Sequence, residues 1–175
     1  YFYPDLPKNF QITQYELPVG TEGSLELSKT GKKIGISRVH VEEDPAKLVH
    51  VGGDITSAQY ALVDYNRSGM PLIEIVTKPE LSSPEEARDA VATLAMMLGH
   101  LGVCDPNKES AIRVDANVSL KGGKRVEIKN ITGFANVERA LLFEIARQRQ
   151  MRLQHLEVVQ ETRHFDELKK STVSL

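Results

Sequence analysis

The chain lacks most of the features that would place it in a class at sight. It has one cysteine, Cys104, in 175 residues. That excludes an internal disulfide framework, fits a reducing cytosol, and leaves Cys104 to read as a small buried or half-buried residue. No charge of one sign dominates. The 22 basic and 24 acidic residues give a net charge of −2, so composition carries no basic footprint for nucleic acid, although a local patch can bind RNA on a neutral protein. No apolar run approaches the ~20 residues of a membrane-spanning helix, and no signal-peptide pattern is present. Zinc-type Cys/His spacing, a Walker-type glycine loop and a dinucleotide-binding glycine fingerprint are all missing. What is left is an ordinary soluble, intracellular globular composition, long enough for a real core. Opening on "YFYPDLPKNF" and closing on "KKSTVSL", it reads as a segment of a longer chain.

The pattern along the chain predicts strands first. "FQITQYELPV" (10–19) and "GSLELSK" (23–29) are strand candidates, and "KKIGISRVHVEED" (32–44) alternates so that Ile34, Ile36, Arg38, His40 and Glu42 share one face. Residues 58–81 read as two strands around the turn Asn66-Arg67-Ser68-Gly69. A helix follows, with Ser83 as N-cap, Pro84 at its first position and Glu86 completing a capping box. Ala87, Ala90, Val91, Leu94, Leu98 and Leu101 recur at helical spacing before Gly102. A second amphipathic helix is predicted over about 134–152 from Val137, Ala140, Leu141 and Ile145, and 156–168 returns to extended structure. Hairpins interspersed with two helices predict an α+β domain, a mainly antiparallel sheet with helices on one face.

The segment "AIRVDANVSLKGGKRVEIKN" (111–130) is a hairpin with a register that can be tested on paper. A two-residue Gly122-Gly123 loop would mix apolar and charged residues on both faces. A three-residue loop, Lys121-Gly122-Gly123, pairs Val118 with Val126 and Ala116 with Ile128, and lines up Ser119–Arg125, Asn117–Glu127 and Asp115–Lys129 on the other face. Asp115 and Glu127 then lie diagonally adjacent, and two carboxylates so placed need a proton, a lysine or a metal between them. Two readings stay open here: a solvated face of cross-strand ion pairs, or a wall of a cation site.

Further carboxylates sit in unusual places. "PLIEIV" (71–76) sets Glu74 in an apolar strand, where a buried unpaired carboxylate would be costly. "RVHVEED" crowds His40, Glu42, Glu43 and Asp44 at a strand end, with His40 reading more readily as a satisfied core histidine than as a ligand. Oxygen donors from three strands, with at most one imidazole, suit Mg²⁺, which normally works with phosphates.

The motifs "YFYPDLPKNFQITQY", "RVHVEEDPAKLVH", "LVDYNRSGMPLIEIV", "RVDANVSL", "VEIKNITGF" and "QETRHFDE" resemble the B subunit of the tRNA-dependent amidotransferase family, in the family's order and over essentially the whole chain. The resemblance to the B branch exceeds that to the related archaeal E subunit. It implies a partial cradle domain over 1–175, of a fold similar to glutamine synthetase and guanido kinases. It implies an ATP- and Mg²⁺-dependent reaction in the cytoplasm, in which the side-chain carboxylate of Glu-tRNA(Gln) or Asp-tRNA(Asn) is phosphorylated and then amidated. The ammonia would come from a glutaminase (the A subunit), with a small C subunit and misacylated tRNA as further partners and no membrane. Carried over by position, the metal candidates are Glu42, Glu43, Glu74, Asp115 and Glu127. Lys129 and Arg113 would neutralise phosphate oxygens, and Asn66, Arg67 and Asn117 are candidates for nucleotide or substrate. Each also has a structural reading, as ion pair or turn residue. Tyr1, Tyr3 and Tyr15 could stack on bases, though packing under a Pro-rich loop is the simpler role.

The sequence departs from the family pattern in three ways. The first strand, with its Leu-Glu-x-His pattern, and the C-terminal helical and tail domains are absent. "EEDPAK" stands for the usual "EEDAGK", and "EIKNITGF" for "EIKNLNSF". Two rival functions follow: a catalytically incomplete docking scaffold for tRNA or a partner, and a small-molecule carboxylate–amine ligase.

Overall fold

The structure is a computed structural model that describes Phe2 and residues 6–52, 58–108 and 111–175. Its packing divides the chain into two units, one of Tyr1–Ser24 with Ile34–Glu80 and one of Leu25–Lys33 with Leu81–Leu175.

The first unit is built from strands β1 (Gly20–Glu26, which runs on into the second unit), β2 (Lys33–Glu43), β3 (Lys47–Val51), β4 (Tyr60–Asp64) and β5 (Pro71–Thr77). They form a three-stranded sheet in the order β1-β2-β5 and a separate β3-β4 pair. The two strands predicted over 58–81 are therefore present, but β4 pairs antiparallel with β3 and β5 with β2. The cause is the short strand over 47–51, which the polar "KLVHV" did not signal. The strand expected at 10–19 reduces to isolated bridges, Phe2 with Phe10 and Thr13 with Glu42.

The pairing of β2 corrects the expected alternation. Ile36 pairs with Thr77, whereas Arg38 pairs with Val76, so β2 carries one extra residue at Ser37. Directly paired residues share a face. Ile34 and Ile36 thus fall in phase with Val39 and Val41 and with Ile73 and Ile75 of β5. Arg38, His40 and Glu42 turn to the opposite face, with Val76, Glu74 and Leu72 across from them. One bulge sorts an apparently uniform strand into an apolar side and a polar side.

The second unit holds α1 (Pro84–His100), β6 (Arg113–Val118), β7 (Val126–Thr132), α2 (Phe134–Leu153), β8 (Glu161–Asp166) and β9 (Ser171–Ser174). The four strands run in the order β6-β7-β8-β9, antiparallel except for the β7–β8 pair, which the α2 crossover makes parallel. Ser83 Oγ accepts the Glu86 N–H at 3.2 Å, and the Glu86 carboxylate accepts Ser82 N–H at 2.7 Å. The predicted capping box is thus made, one residue offset on its return bond. Ala116, Ile128, Ile131, Val137, Ala140, Leu141 and Phe165, with Ala87 of α1, form the core. β9 was not anticipated, because "STVS" is too short and polar to carry a period.

Behind this core, α2 buries two polar side chains that its periodicity did not mark. Glu144 and Gln148 are 0% and 1% exposed. Glu144 accepts from Arg147 (Nε 2.9 Å, Nη2 2.8 Å), Gln148 Nε2 (2.9 Å) and Thr172 Oγ1 (2.6 Å). Gln148 Oε1 in turn accepts Leu120 N–H at 3.2 Å, which ties the end of β6 to the helix. Burial alone pushes the Glu144 carboxyl up, but the bonds from Arg147, Thr172 and Gln148 outweigh it and hold the group below the ordinary carboxylate range.

Candidate functional site

On the polar face of the β2–β5 pair, His40 lies directly across from Glu74 and two residues from Glu42. Its Nε2 is 2.8 Å from Glu74 Oε2 and 3.7 Å from Glu42 Oε2. One ligand atom from each of the three residues lies within 4.8 Å of the other two. His40 is fully buried, as expected; apart from the Nε2 contacts to Glu74 and Glu42, neither ring nitrogen finds a hydrogen-bond partner among the described residues. Glu74 is less buried than "PLIEIV" suggested, with its side chain 46% exposed, because the N-terminal half of β5 is open to solvent. Burial pushes the Glu42 carboxyl above its usual range, and the Glu74 charge adds to this; His40 and Gln11 pull the other way. One imidazole and two carboxylates brought this close form a donor set that suits a divalent cation.

The neighbouring acidic residues are already engaged. Glu43 is ion-paired with Lys8, and its carbonyl accepts Gln11 Nε2 at 2.8 Å. Asp44 is buried, takes Ala46 N–H at 3.1 Å, and meets Arg67 Nε at 3.3 Å. The turn beyond β4 is closed by Ser68 N–H to Tyr65 O and by Asn66 N–H to Asp64 Oδ1, so Asn66 and Arg67 both take part in turn structure. Tyr1 and Tyr3 lie outside the described residues.

In the second unit the hairpin has the predicted register next to its turn: Val118 with Val126, Asn117 with Glu127 and Ala116 with Ile128. The loop closes by Gly123 N–H to Leu120 O, and Gly122 takes the left-handed φ of +79° that the turn needs. Farther along, β7 gains a residue, so Val114 pairs with Ile131. Lys129 and Asn130 both lie opposite Asp115, and Asn130 is left-handed at φ +56°. The Asp115 carboxylate fills this bulge, accepting Asn130 N–H and Lys129 Nζ, each at 2.8 Å. Lys129 Nζ also lies 3.3 Å from Glu127 Oε1, and Thr162 Oγ1 donates to Glu127 Oε2 at 3.4 Å. The cation between the two carboxylates is thus a lysine. Asp115 and Glu127 raise the Lys129 pKa even though burial pulls it down. Arg113 pairs with Thr132 and, with Asn117, points to the same face.

The full chain, residues 1–175, matches the model of the GatB/GatE catalytic domain. It belongs to that family. The B subunit of an aspartyl/glutamyl-tRNA(Asn/Gln) amidotransferase from Sulfolobus acidocaldarius is 51% identical over 180 residues, covering 99% of this chain and 37% of the relative. The protein of the same name from Methanosarcina acetivorans is 52% identical over 177 residues, covering 100% of this chain and 36% of the relative. The chain thus spans little more than a third of the length of these relatives.

Within this GatB/GatE catalytic domain, Arg38 shares the polar face of His40 and Glu42, as alternation alone required, and the bulge takes only Ile34 and Ile36 off that face. One feature escaped sequence reading. The motif "QETRHFDE" divides between faces: Glu161 and Arg163 bond each other at 2.7 Å and adjoin the Glu144 network, while Thr162 and His164 lie level with Glu127 and Lys129. No described helix is long and apolar enough to cross a membrane.

Proposed function

We propose that this chain is the catalytic part of the B subunit of a tRNA-dependent amidotransferase, working in the cytosol on Glu-tRNA(Gln), Asp-tRNA(Asn) or both. ATP phosphorylates the side-chain carboxylate, and ammonia from the glutaminase partner, the A subunit, displaces the phosphate; a small C subunit completes the complex. The cradle would share the architecture of glutamine synthetase and guanido kinases. The observation that supports this reading best is the His40–Glu42–Glu74 group. Its donor set of one imidazole and two carboxylates fits a divalent cation, and the raised Glu42 carboxyl favours one. Mg²⁺ held there would supply charge stabilisation to phosphoryl oxygens.

The remaining steps rest on this chain's own side chains. Glu42 and Glu74 would hold the cation from paired strands, and burial of His40 fixes its ring beside them. Glu43 contributes if it exchanges Lys8. In the second unit Asp115 and Glu127 hold the Lys129 ammonium, which with Arg113 would meet phosphate oxygens, and the two carboxylates would take a metal cation only by exchanging Lys129. Asn117, Asn66 and Arg67 would contact nucleotide or substrate.

The test is ATP-dependent conversion of Glu-tRNA(Gln) to Gln-tRNA(Gln) by the full-length protein in its complex. The Glu74→Ala, Glu127→Ala double variant is expected to lose about a hundredfold or more of kcat. Unchanged turnover would refute the site. Amidation of free glutamate without tRNA would instead establish the small-molecule ligase, and tRNA binding without turnover the scaffold.

A further inference from the structure

The face that carries His40, Glu42 and Glu74 also carries one arginine, Arg38, two residues before His40 and paired with Val76. It shares that face with two carboxylates yet forms an ion pair with neither; the ion-pair contacts of Glu42 and Glu74 go to His40. Its Nε is buried and makes no hydrogen bond among the described residues. Instead the flat of the guanidinium rests on the Tyr15 ring, 4.3 Å from the centroid. The same ring meets His40 edge-on, at 5.9 Å and 80°. Thr13, bridged to Glu42 in the same segment, has a buried hydroxyl that likewise has no hydrogen-bond partner among the described residues.

Stacking satisfies the face of a guanidinium but leaves its N–H edge to donate. Arg38 is half-buried, and a buried donor such as its Nε is costly to leave without a partner. Here the Tyr15 ring fixes the plane of the guanidinium. A fixed planar edge of donors, next to a group suited to a cation, matches an oxyanion bound between the two. We propose that Arg38 is an anion-binding residue that receives an oxygen of the phosphoryl group or of the carboxylate undergoing reaction. This rests on the metal reading of His40, Glu42 and Glu74, and it gives a role to a residue that alternation placed on that face without one.

Both oxyanion sources can be separated in the full-length protein assembled in its complex. Arg38→Met and Arg38→Lys are compared with wild type for affinity towards the Mg²⁺ complex of β,γ-imido-ATP by calorimetry, and for KM of Glu-tRNA(Gln). If the phosphoryl group is the ligand, Arg38→Met weakens nucleotide binding about tenfold; Arg38→Lys, which keeps the charge and loses the fork, weakens it about threefold. If the carboxylate is the ligand, nucleotide affinity holds and KM for the aminoacyl-tRNA rises by the same factors. If neither quantity changes, the proposal is overturned. Thermal unfolding checks that each variant is folded, and Arg38→Lys alone decides if Arg38→Met is not. Mn²⁺ titration followed by paramagnetic resonance checks the metal reading separately. Absence of Mn²⁺ binding in wild type refutes that reading, while the two affinities still decide the role of Arg38.

Discussion

Removing the Glu144 carboxylate should produce the largest single loss of stability in the second unit. Glu144 is fully buried and takes four hydrogen bonds, two of them from one guanidinium. Glu144→Ala leaves Arg147, Gln148 and Thr172 with donors facing a void. Arg147 keeps a longer contact to Glu161 at 3.3 Å and its side chain is 24% exposed, which softens the penalty. Breaking a buried pair by deleting one partner costs about 3–5 kcal/mol. For a chain of this length that lowers the thermal midpoint by roughly 6–20 °C. The loss also depends on pH, which packing alone would not produce. The folded-state pKa of Glu144 is depressed, so its contribution is complete above the ordinary carboxylate range and disappears as pH falls through the folded value. Urea unfolding of wild type and Glu144→Gln, compared from pH 7 downwards, should show a gap that narrows only on the acid side. A Glu144→Ala loss under about 1 kcal/mol, or a wild-type–Glu144→Gln gap constant down to about pH 3, would refute the account.

Two smaller perturbations check the local arguments. Asn130 occupies the left-handed region in the β7 bulge, so Asn130→Ala should cost about 1 kcal/mol in urea unfolding while Asn130→Gly stays near neutral; equal losses would show that the bulge does not depend on backbone conformation. Ser83→Ala removes the side-chain acceptor for Glu86 N–H and should cost about 1 kcal/mol, with Ser83→Asp retaining most of the stability in the same assay.

The parts of the fold that sequence disclosed are those where one local rule dominates. The α1 cap is a side-chain bond between residues three apart, and it was readable as such. The hairpin register near Gly122 followed from keeping both faces consistent, and Val118, Ala116 and Ile128 pair as that required. What stayed hidden depends on distant residues or on a break in phase. The parallel β7–β8 pair requires α2 to return the chain across the sheet, and nothing in "LEVVQETRHFDEL" specifies its neighbour. Glu144 and Gln148 look like the solvent side of a helix until Thr172 and Leu120 are known to face them. The His40–Glu42–Glu74 grouping was half visible: the carboxylates stood out as chemically odd, but strict alternation put Ile34 and Ile36 on the same side as His40.

The extra residue at Ser37 has a consequence for how this region tolerates change. Deleting Ser37 would set Ile36 directly before Arg38, and plain alternation would then keep Val39 and Val41 on the side of Ile36 with Arg38, His40 and Glu42 on the other. The intact sequence paired without its bulge is what would carry Val39 and Val41 round to where His40 and Glu42 belong, with no chemical group altered. The cluster is therefore encoded by strand pairing as much as by residue identity. A relative that lost one position between Ile36 and Arg38 would keep the site in a regular strand, whereas one that kept every residue and lost the bulge would retain the motif and lose the site.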